Sequence, residues 1–276
     1  AAESAGNLLA GNVAPLGSPT TPTTPTTKRR SRVNQSYLIC SSHAKMAASI
    51  EVLAYDAPAA VLEGAAQVLA RSFSSSGPLD VTRGVTREDW LPMARSGVAS
   101  LRGNGITLVA RLPTPLDADE ATVRDSVVGV VLNSDRADEL PSEPPDAKLA
   151  PILLLLDSLE EHAHKPSERL RELYIWLLAV DERTRGQGVA TALLRETVRI
   201  ARELQYGSIV TEATSSYTRL ICEQKLGFVV EKEIEYASFE LPNGERPFAE
   251  LPRIAHERGL GTHLSGTFLR LSLSYS

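Results

Sequence analysis

The most constraining stretch of this chain is an uncharged run that turns at once into a helix through a glycine-rich loop. Residues 173–180 carry branched and aromatic side chains and no charge, which predicts a strand buried on both faces. From Ala190 onward, the apolar or small positions recur at the spacing of one helical face. The six residues RTRGQG, 183–188, connect the two segments.

This loop has the composition of an anion cradle. Glycine lets the backbone approach a ligand closely, the first N–H groups of a helix lack internal partners, and Arg183 and Arg185 add positive charge. The Gly-Lys-Ser/Thr ending of a Walker loop is missing, and a dinucleotide fingerprint would need glycine in place of Thr191. The loop therefore predicts a ligand with phosphates, with an ordinary strand-to-helix turn as the alternative.

Residues 1–45 differ in composition from the rest of the chain. Thr/Pro repetition and a basic cluster leave too little apolar content to pack, so we expect disorder there. A transit peptide, upstream sequence foreign to the native protein, and a nuclear-localisation cluster at 28–32 are the competing explanations. The domain would then cover residues 46–276, in the cytoplasm, or in an organelle if the tail is a transit peptide.

Charge and cysteine content narrow the partners of the domain. The tail holds one acid and five bases, which leaves 33 acids and 24 bases in the domain, a net charge of −9. This balance argues against nucleic-acid binding and suits a cationic substrate, although it also serves solubility. Cys40 and Cys222 are too few for a disulfide framework or a cysteine-based zinc site. No apolar run reaches the roughly 18 residues of a membrane span, so no membrane partner is expected.

The order of elements predicts a mixed α/β domain with one connected sheet. The acidic stretch between 105–111 and 125–133 is expected to be a loop. Pro151 is compatible with a helix because it falls near the first turn. Strands are predicted at 49–55, 105–111, 125–133, 173–180, 208–213, 229–241 and 265–274, and helices at 57–73, 88–102, 147–164, from 190, and at 216–226.

At the loop, the sequence resembles the GNAT superfamily of acyl-CoA-dependent N-acyltransferases, whose pyrophosphate loop reads Arg/Gln-x-x-Gly-x-Gly/Ala. The residues KLGF, 225–228, match the Leu-Gly-Phe that closes the next helix of that family. Weaker similarities extend over about 49–274 and point to the arylalkylamine N-acetyltransferase-like branch, the insect type in particular. They are ARSFSSSGPLD (70–80), PILLLLDSLEEH (151–162), EATSSYT (212–218) and GTHLSGTFLRLSL (261–273).

The resemblance implies a GNAT-type fold, with a splayed, mostly antiparallel central sheet flanked by helices. The splay between the central strand and the next parallel strand would admit acetyl-CoA as co-substrate. Leu178, Ala179 and Val180 would line it, and its pyrophosphate would be held by Arg183 with the amides of Arg185, Gly186, Gln187, Gly188, Val189 and Ala190.

The implied reaction is direct attack of a neutral amine on the thioester, with backbone N–H groups stabilising the oxyanion. An alkylamine has a pKa of about 10, so a base must remove a proton. The glutamate that serves this purpose in the insect-type enzymes is replaced by Gly77. Asp80 and Glu212 are the candidate replacements.

Other candidate site residues follow from the same resemblance. Thr214 and Thr218 fit two hydroxyl residues that the branch carries four apart. Aligning RLICEQKLGF requires one extra residue, which puts Cys222 where the wider superfamily often places an acid tyrosine, although a cysteine there is more often core packing. Trp90 and Met93 fall in the substrate-wall region of the branch, where core packing is again the alternative. His162 and His164, two apart on a helix, point in different directions, so no metal is expected.

The favoured function is an N-acetyltransferase that moves an acetyl group from acetyl-CoA to a primary amine, a small aryl- or alkylamine, in a ternary complex. Because the expected glutamate is replaced by Gly77, a non-catalytic acyl-CoA-binding module is the alternative function. A third reading makes the acceptor a protein or peptide amine. A monomer or a weak homodimer is expected in each case.

Overall fold

In a computed structural model of this chain, the described residues form one central sheet of eight strands, of which seven belong to the predicted domain. The structure describes residues 37–38, 48–140, 147–161, 171–260 and 264–274. The rest of the predicted tail and both histidines of the EHAH stretch lie outside them. Among the described helices, none combines the length and the apolarity of a membrane-spanning segment.

The strands pair in the order β1-β2-β3-β4-β5-β6-β8-β7, and all pairs are antiparallel except β5 with β6. This confirms the predicted mixed, mostly antiparallel sheet. The predicted strand at 229–241 is shorter than expected and ends at Glu235. The strands are β1 (Tyr37–Leu38), β2 (Ser49–Val52), β3 (Leu108–Arg111), β4 (Val127–Asp135), β5 (Glu172–Val180), β6 (Ser208–Ala213), β7 (Val229–Glu235) and β8 (Ser265–Ser272).

Three helices were not predicted, and one lies in the stretch expected to be an acidic loop. There, the Asp119 side chain accepts a hydrogen bond from the Thr122 N–H and caps a six-residue helix. The helices are α1 (Ala59–Ser76), α2 (Pro78–Arg83), α3 (Arg87–Leu101), α4 (Glu120–Asp125), α5 (Ala150–Glu160), α6 (Val189–Glu203), α7 (Ser216–Leu220) and α8 (Leu251–Arg258). Of these, α2, α4 and α8 are the unpredicted ones.

Helices cover both faces of the sheet, which gives two apolar cores. One core lies between the sheet and helices α1, α3, α5 and α8, and the other lies mainly under α6. Neighbouring residues of one strand enter different cores: Leu132 belongs to the first and Val131 to the second. On the α6 side, a Cβ atom at Gly129 would lie 2.8 Å from Val189, so this glycine lets the start of α6 approach the sheet closely.

Candidate active site

The site begins where the two parallel strands separate. Pairing between β5 and β6 runs from Glu172 opposite Ser208 to Ile175 opposite Thr211, and among the described residues it stops there. The Thr211 hydroxyl donates to the Ile175 carbonyl at 3.0 Å, which is a last contact before the strands diverge. The register of β4 shifts at this level, so that Trp176 is an extra residue on β5. The predicted splay is therefore present.

The paired half of the two strands is held by a buried carboxylate. The Glu172 side chain is 1% exposed and accepts hydrogen bonds from Arg136 at 3.1 Å, from Ser208 at 2.5 Å and from Arg270. Arg270 also binds Glu231, on the edge strand β7, at 2.7 Å. This network ties β4, β5, β6, β7 and β8 together below the splay.

The glycine-rich loop has the backbone conformation that an anion cradle needs. Gly186 and Gly188 have φ values of 72° and 87°, in the left-handed region that favours glycine. Helix α6 begins at Val189 without a side-chain cap, so its first N–H groups point out of the helix end. Arg185 donates to the Ser76 hydroxyl at 2.8 Å, which places this guanidinium beside the end of α1.

Arg183, predicted to hold pyrophosphate, is bound to the carboxylate of Asp181. Its Nε and Nη2 donate to the two Asp181 oxygens at 2.7 and 3.2 Å, and Arg71 donates to the same carboxylate at 3.1 Å. Burial alone would raise the pKa of Asp181, but the bonds from Arg183 hold that pKa below its usual value. Two arginines thus share one carboxylate, so the three side chains together keep a net positive charge at the loop.

A cleft lies on the α1 side of the splay. Its volume is about 130 Å³, close to that of engineered cavities that hold a single benzene ring. Eight of the seventeen lining residues are aromatic or aliphatic, and two carboxyl groups and six hydroxyls lie among them. The lining residues are Ser72, Phe73, Ser76, Gly77, Leu79, Asp80, Trp90, Ile152, Leu156, Trp176, Leu177, Leu178, Thr211, Glu212, Thr214, Ser215 and Thr218.

Asp80, one of the two candidate bases, lies in this cleft as a buried carboxyl. It is 4% exposed and sits in the first turn of α2. Its Oδ1 accepts a hydrogen bond from the indole Nε1 of Trp90 at 2.8 Å, and Trp90 stacks on Phe73 at 4.7 Å. Burial raises the pKa of Asp80 to about 7, although the Trp90 bond opposes the rise. A carboxyl with this pKa can take up and release a proton near neutrality.

Gly77 explains how the carboxyl of Asp80 fits. A Cβ atom at Gly77 would lie 2.1 Å from Oδ2 of Asp80, far inside van der Waals contact. The φ of Gly77 is −68°, which any residue can adopt, so the requirement for glycine is one of space. The Cβ atom would also lie 2.7 Å from the carbonyl oxygen of Phe73, so the Asp80 carboxyl and the end of α1 together leave no space for a side chain at Gly77.

Glu212, the second candidate, is the first residue of β6 beyond the paired half. Tyr174 donates to its Oε2 at 2.6 Å, and its Oε1 is buried without a donor in the described part of the chain. Burial raises the pKa of Glu212 to about 8; the Tyr174 bond opposes this, and the neighbouring carboxylate of Glu160 adds to it. Two carboxyls that titrate near neutrality therefore lie in one cleft.

The predicted hydroxyl pair also reaches the cleft. Thr214 and Thr218 both line it, and Ser215 caps α7 by accepting from the Thr218 N–H at 3.2 Å. The Thr214 carbonyl accepts from the buried Tyr236 hydroxyl at 2.8 Å. Burial and the nearby Asp80 carboxylate raise the pKa of Tyr236.

Cys222, the remaining candidate, lies outside the cleft. Its side chain is fully buried in the core under α6 and is not among the residues that line the cleft. Burial raises the pKa of its thiol to about 12. The helix around it, Ile221–Leu226, is a π-helix, in which the Gly227 N–H donates to the Cys222 carbonyl. A π-helix holds more residues per turn than an α-helix, so this turn takes up the extra residue of the alignment.

Sequence reasoning missed part of the cleft wall. Phe73, Trp176 and Ser215 line the cleft and were not proposed. Of the two residues proposed for the substrate wall, Trp90 lines the cleft and Met93 packs against the core. Gly97 on α3 makes room for Trp176, because a Cβ atom at Gly97 would lie 2.6 Å from the indole ring. A glycine within a predicted helix was thus the available sequence signal for a large side chain packed against it. In the described part of the chain, no group of three or more His, Cys, Asp or Glu residues is arranged to hold a metal ion.

Comparison with known proteins agrees with this geometry. The model of the acetyltransferase (GNAT) family matches residues 155–228, which contain the central strand, the loop, α6 and the Leu-Gly-Phe. A comparison with curated protein sequences finds no match.

Similar solved structures include the C-terminal condensation domain of Ebony in complex with β-alanyl-dopamine, with a TM-score of 0.67, 17% identity, and coverage of 83% of this chain and 100% of that one. A putative arylalkylamine N-acetyltransferase 7 of the mosquito Aedes aegypti has a TM-score of 0.61 at 16% identity, with coverage of 86% and 93%. An agmatine N-acetyltransferase mutant has a TM-score of 0.51 at 18% identity, with coverage of 77% and 94%.

At these identities, the structural likeness shows a shared fold. Together with the family model, it confirms the predicted resemblance to GNAT acyltransferases, and insect arylalkylamine N-acetyltransferases are among the similar folds. The predicted class, an acyl-CoA-dependent N-acyltransferase, is supported by the same matches.

Proposed function

We propose that this GNAT-type chain transfers an acetyl group from acetyl-CoA to a small primary amine, with Asp80 as the base. The observation that carries the proposal is one cleft, at the point where β5 and β6 separate, that holds a buried carboxyl of raised pKa. The glycine loop opens toward the same end of β5. Acceptor chemistry and donor binding are thus supported within one region.

The residues of the loop fit the donor. Two glycines with positive φ, an uncapped helix start and the guanidinium of Arg185 together suit a pyrophosphate. When bound, acetyl-CoA would supply the thioester carbonyl, and residues Leu178, Ala179 and Val180, beyond the paired half of β5, offer their backbone to it. Because Arg183 is held by Asp181, the backbone amides and Arg185 are the donors best placed for the phosphates.

The cleft suits a small acceptor. Phe73, Trp90 and Trp176 can pack against a ring or an alkyl chain, and the volume matches a single ring. Carboxyl groups at Asp80 and Glu212 favour the approach of an ammonium group. Two similar structures agree with a small acceptor by name: one is in complex with β-alanyl-dopamine, and another is an agmatine N-acetyltransferase.

Asp80 provides a proton acceptor in place of the glutamate that Gly77 replaces. The volume that a side chain at Gly77 would need is filled by Oδ2 of Asp80, so the carboxyl reaches the cleft from three residues further along the chain. Trp90 fixes the other oxygen and leaves Oδ2 for the amine or for a water.

The test is thiol release from acetyl-CoA with tryptamine, phenylethylamine, polyamine and short-peptide acceptors, in the native chain and in Asp80→Asn. We expect turnover on the small amines. The variant should lose roughly 10²–10⁴ in kcat. Its affinity for acetyl-CoA, measured by calorimetry, should stay unchanged. Asp117→Asn, on an exposed loop, is the matched control.

Two other outcomes would point elsewhere. Acetyl-CoA binding without turnover on any acceptor would favour a non-catalytic binding module. Turnover confined to peptides would favour a protein or peptide amine as the acceptor, against the small volume of the cleft.

A further inference from the structure

Acetyl transfer to an alkylammonium must deliver one proton to solvent, and this inference rests on the proposed function. The nitrogen begins as R–NH3⁺ and ends as R–NH–CO–CH3, while a C–N bond forms and a C–S bond breaks. Of its two lost protons, one ends on the sulfur of coenzyme A and the other must leave. Asp80 is only 4% exposed, so its contact with solvent is slight. A second group that connects the cleft with the surface would complete the cycle.

Glu212 and Glu160 have the arrangement that such a connection needs. Glu212 lines the cleft, and the carboxyl of Glu160, in the last turn of α5, is near enough to raise the pKa of Glu212. The Glu160 side chain is 38% exposed. One carboxyl of the pair therefore faces the reaction space, and the other faces water.

We propose that Glu212 and Glu160 form a carboxyl pair that passes the released proton from the cleft to the surface. After Asp80 has accepted the proton of the amine, Glu212 takes this proton up on the cleft side, a proton moves on to Glu160, and Glu160 releases it to water. No oxidant or further reactant takes part. Each step moves one proton between oxygen atoms, and the pair returns to its starting charge.

The hydrogen bonding of the pair supports a shared proton. Two carboxylates cannot hydrogen-bond to each other, and Oε1 of Glu212 is buried without a donor in the described structure. A proton held between Glu212 and Glu160 supplies the missing donor. The other oxygen of Glu212 is fixed by Tyr174 at 2.6 Å, so the carboxyl has little freedom to turn away.

A cation lies beside the pair. Burial favours the protonated form of Glu212, which the Arg136 charge opposes, and the Arg136 guanidinium lies 3.5 Å from the Glu160 carboxylate. Arg136 also binds Glu172 at 3.1 Å, so its position is fixed by the network below the splay. The inner carboxyl thus readily holds a proton, and the outer carboxyl is in contact with water.

The test replaces the outer carboxyl alone. In Glu160→Gln, we expect kcat to fall about 10-fold in dilute buffer, less than the 10²–10⁴ of a general acid–base residue, with the KM for both substrates unchanged. Added imidazole, which carries protons near neutral pH, should restore kcat. Glu161→Gln, the next residue and an exposed one, should match the native chain with or without imidazole.

A structural role for Glu160 would give a different result. Loss of kcat without rescue by imidazole, or an unchanged kcat in Glu160→Gln, would overturn the proposal. A second measurement needs no turnover: NMR titration of the glutamate carboxyl carbons should show a lower pKa for Glu212 in Glu160→Gln, because a neighbouring negative charge is removed.

The two measurements separate this proposal from the proposed function. An unchanged pKa of Glu212 in Glu160→Gln would overturn the carboxyl pair even in an active enzyme. A native chain that releases no thiol would overturn the proposed function, and with it the catalytic use of the pair, whatever the titration shows.

Discussion

The two halves of the β5–β6 pair use the same strands in opposite ways. In the lower half, Glu172 to Ile175 pair with β6, and a buried carboxylate gathers two arginines and a serine. In the upper half the strands diverge, and the carboxyl groups there have raised pKa values. Below the splay, the Glu172 carboxylate has its donors within the protein, whereas the carboxyl groups above it line a cleft with room for a ligand.

This difference separates stability from chemistry along one strand. A carboxylate with several donors is stabilised in its charged form, whereas one that burial isolates favours its neutral form and exchanges protons near neutrality. The lower half fixes where the strands part, and the upper half uses the opening. Changes to the lower half should therefore affect folding first, and changes to the upper half should affect turnover or ligand affinity first.

The largest effect is expected from the lower half. Glu172→Gln leaves Arg136 and Arg270 beside a neutral group, and breaking a buried ion pair costs about 3–5 kcal/mol. Urea unfolding should show this loss in the free energy of unfolding. Glu51→Gln, whose carboxylate is 24% exposed beside Arg111, should cost about 1 kcal/mol or less. Equal losses in the two variants would contradict a special role for the network.

A methyl group at Gly77 should act mainly on the upper half. Its Cβ would lie 2.1 Å from Oδ2 of Asp80 and 2.7 Å from the carbonyl oxygen of Phe73, so Gly77→Ala displaces the Asp80 carboxyl and also strains the end of α1. We expect kcat to fall about 100-fold or more and urea unfolding to show a lower free energy of unfolding, while the affinity for acetyl-CoA changes little. Steady-state kinetics and calorimetry would check this. The double variant Gly77→Glu with Asp80→Ala removes the contact with the Asp80 carboxyl but keeps the one with the Phe73 carbonyl. It should regain a small part of the activity, because a carboxyl returns from the other position. Native kcat in Gly77→Ala would argue against Asp80 as the base.

The loop should respond in affinity rather than in rate. Gly188→Ala places a side chain at a φ of 87°, which costs roughly 1–2 kcal/mol. The free loop is expected to relax out of this conformation, and because binding must restore it, the Kd for acetyl-CoA should rise about 10-fold. Gly244, at a φ of 84° in an exposed turn, gives the control Gly244→Ala with a similar strain. The same Kd in both variants would show that the loop does not bind the donor.

The smallest effect concerns pH. Trp90→Phe keeps the stacking on Phe73 and removes the N–H donor to Asp80. Burial raises the pKa of Asp80, and this hydrogen bond opposes the rise. The pKa should rise above about 7. Because the base must be ionised, the acid limb of the pH profile of kcat/KM should move to higher pH, with the plateau nearly unchanged. A shift to lower pH, or none, would contradict this account of the carboxyl.

Much of the fold was accessible from the sequence because its signals are local. The uncharged run at 173–180 and the amphipathic face of α6 each reflect burial of the element itself. The short helices were missed because α2 and α4 have six residues each, fewer than two turns, and depend on Pro78 or Asp119 at their starts.

The candidate site was accessible only in part. Asp80, Glu212, Thr214 and Thr218 were proposed and do lie in one cleft, and the loop glycines have the expected conformation. What the sequence could not show is distance across the fold. The contacts of Glu212 with Tyr174 and Glu160 join β6 to β5 and α5, and the link between Gly77 and Asp80 depends on an atom position within one turn.

The π-helical turn at Ile221–Leu226 has a consequence for how the length of this chain can vary. Removal of one residue from the turn would leave an ordinary α-helix, and Gly227 and Phe228 could keep their places at the entry to β7. A further added residue has no such outlet, because the turn is already expanded. Homologous chains should therefore tolerate deletion at this point more readily than insertion, and sequencing of functional variants from a random insertion–deletion library would reveal the asymmetry.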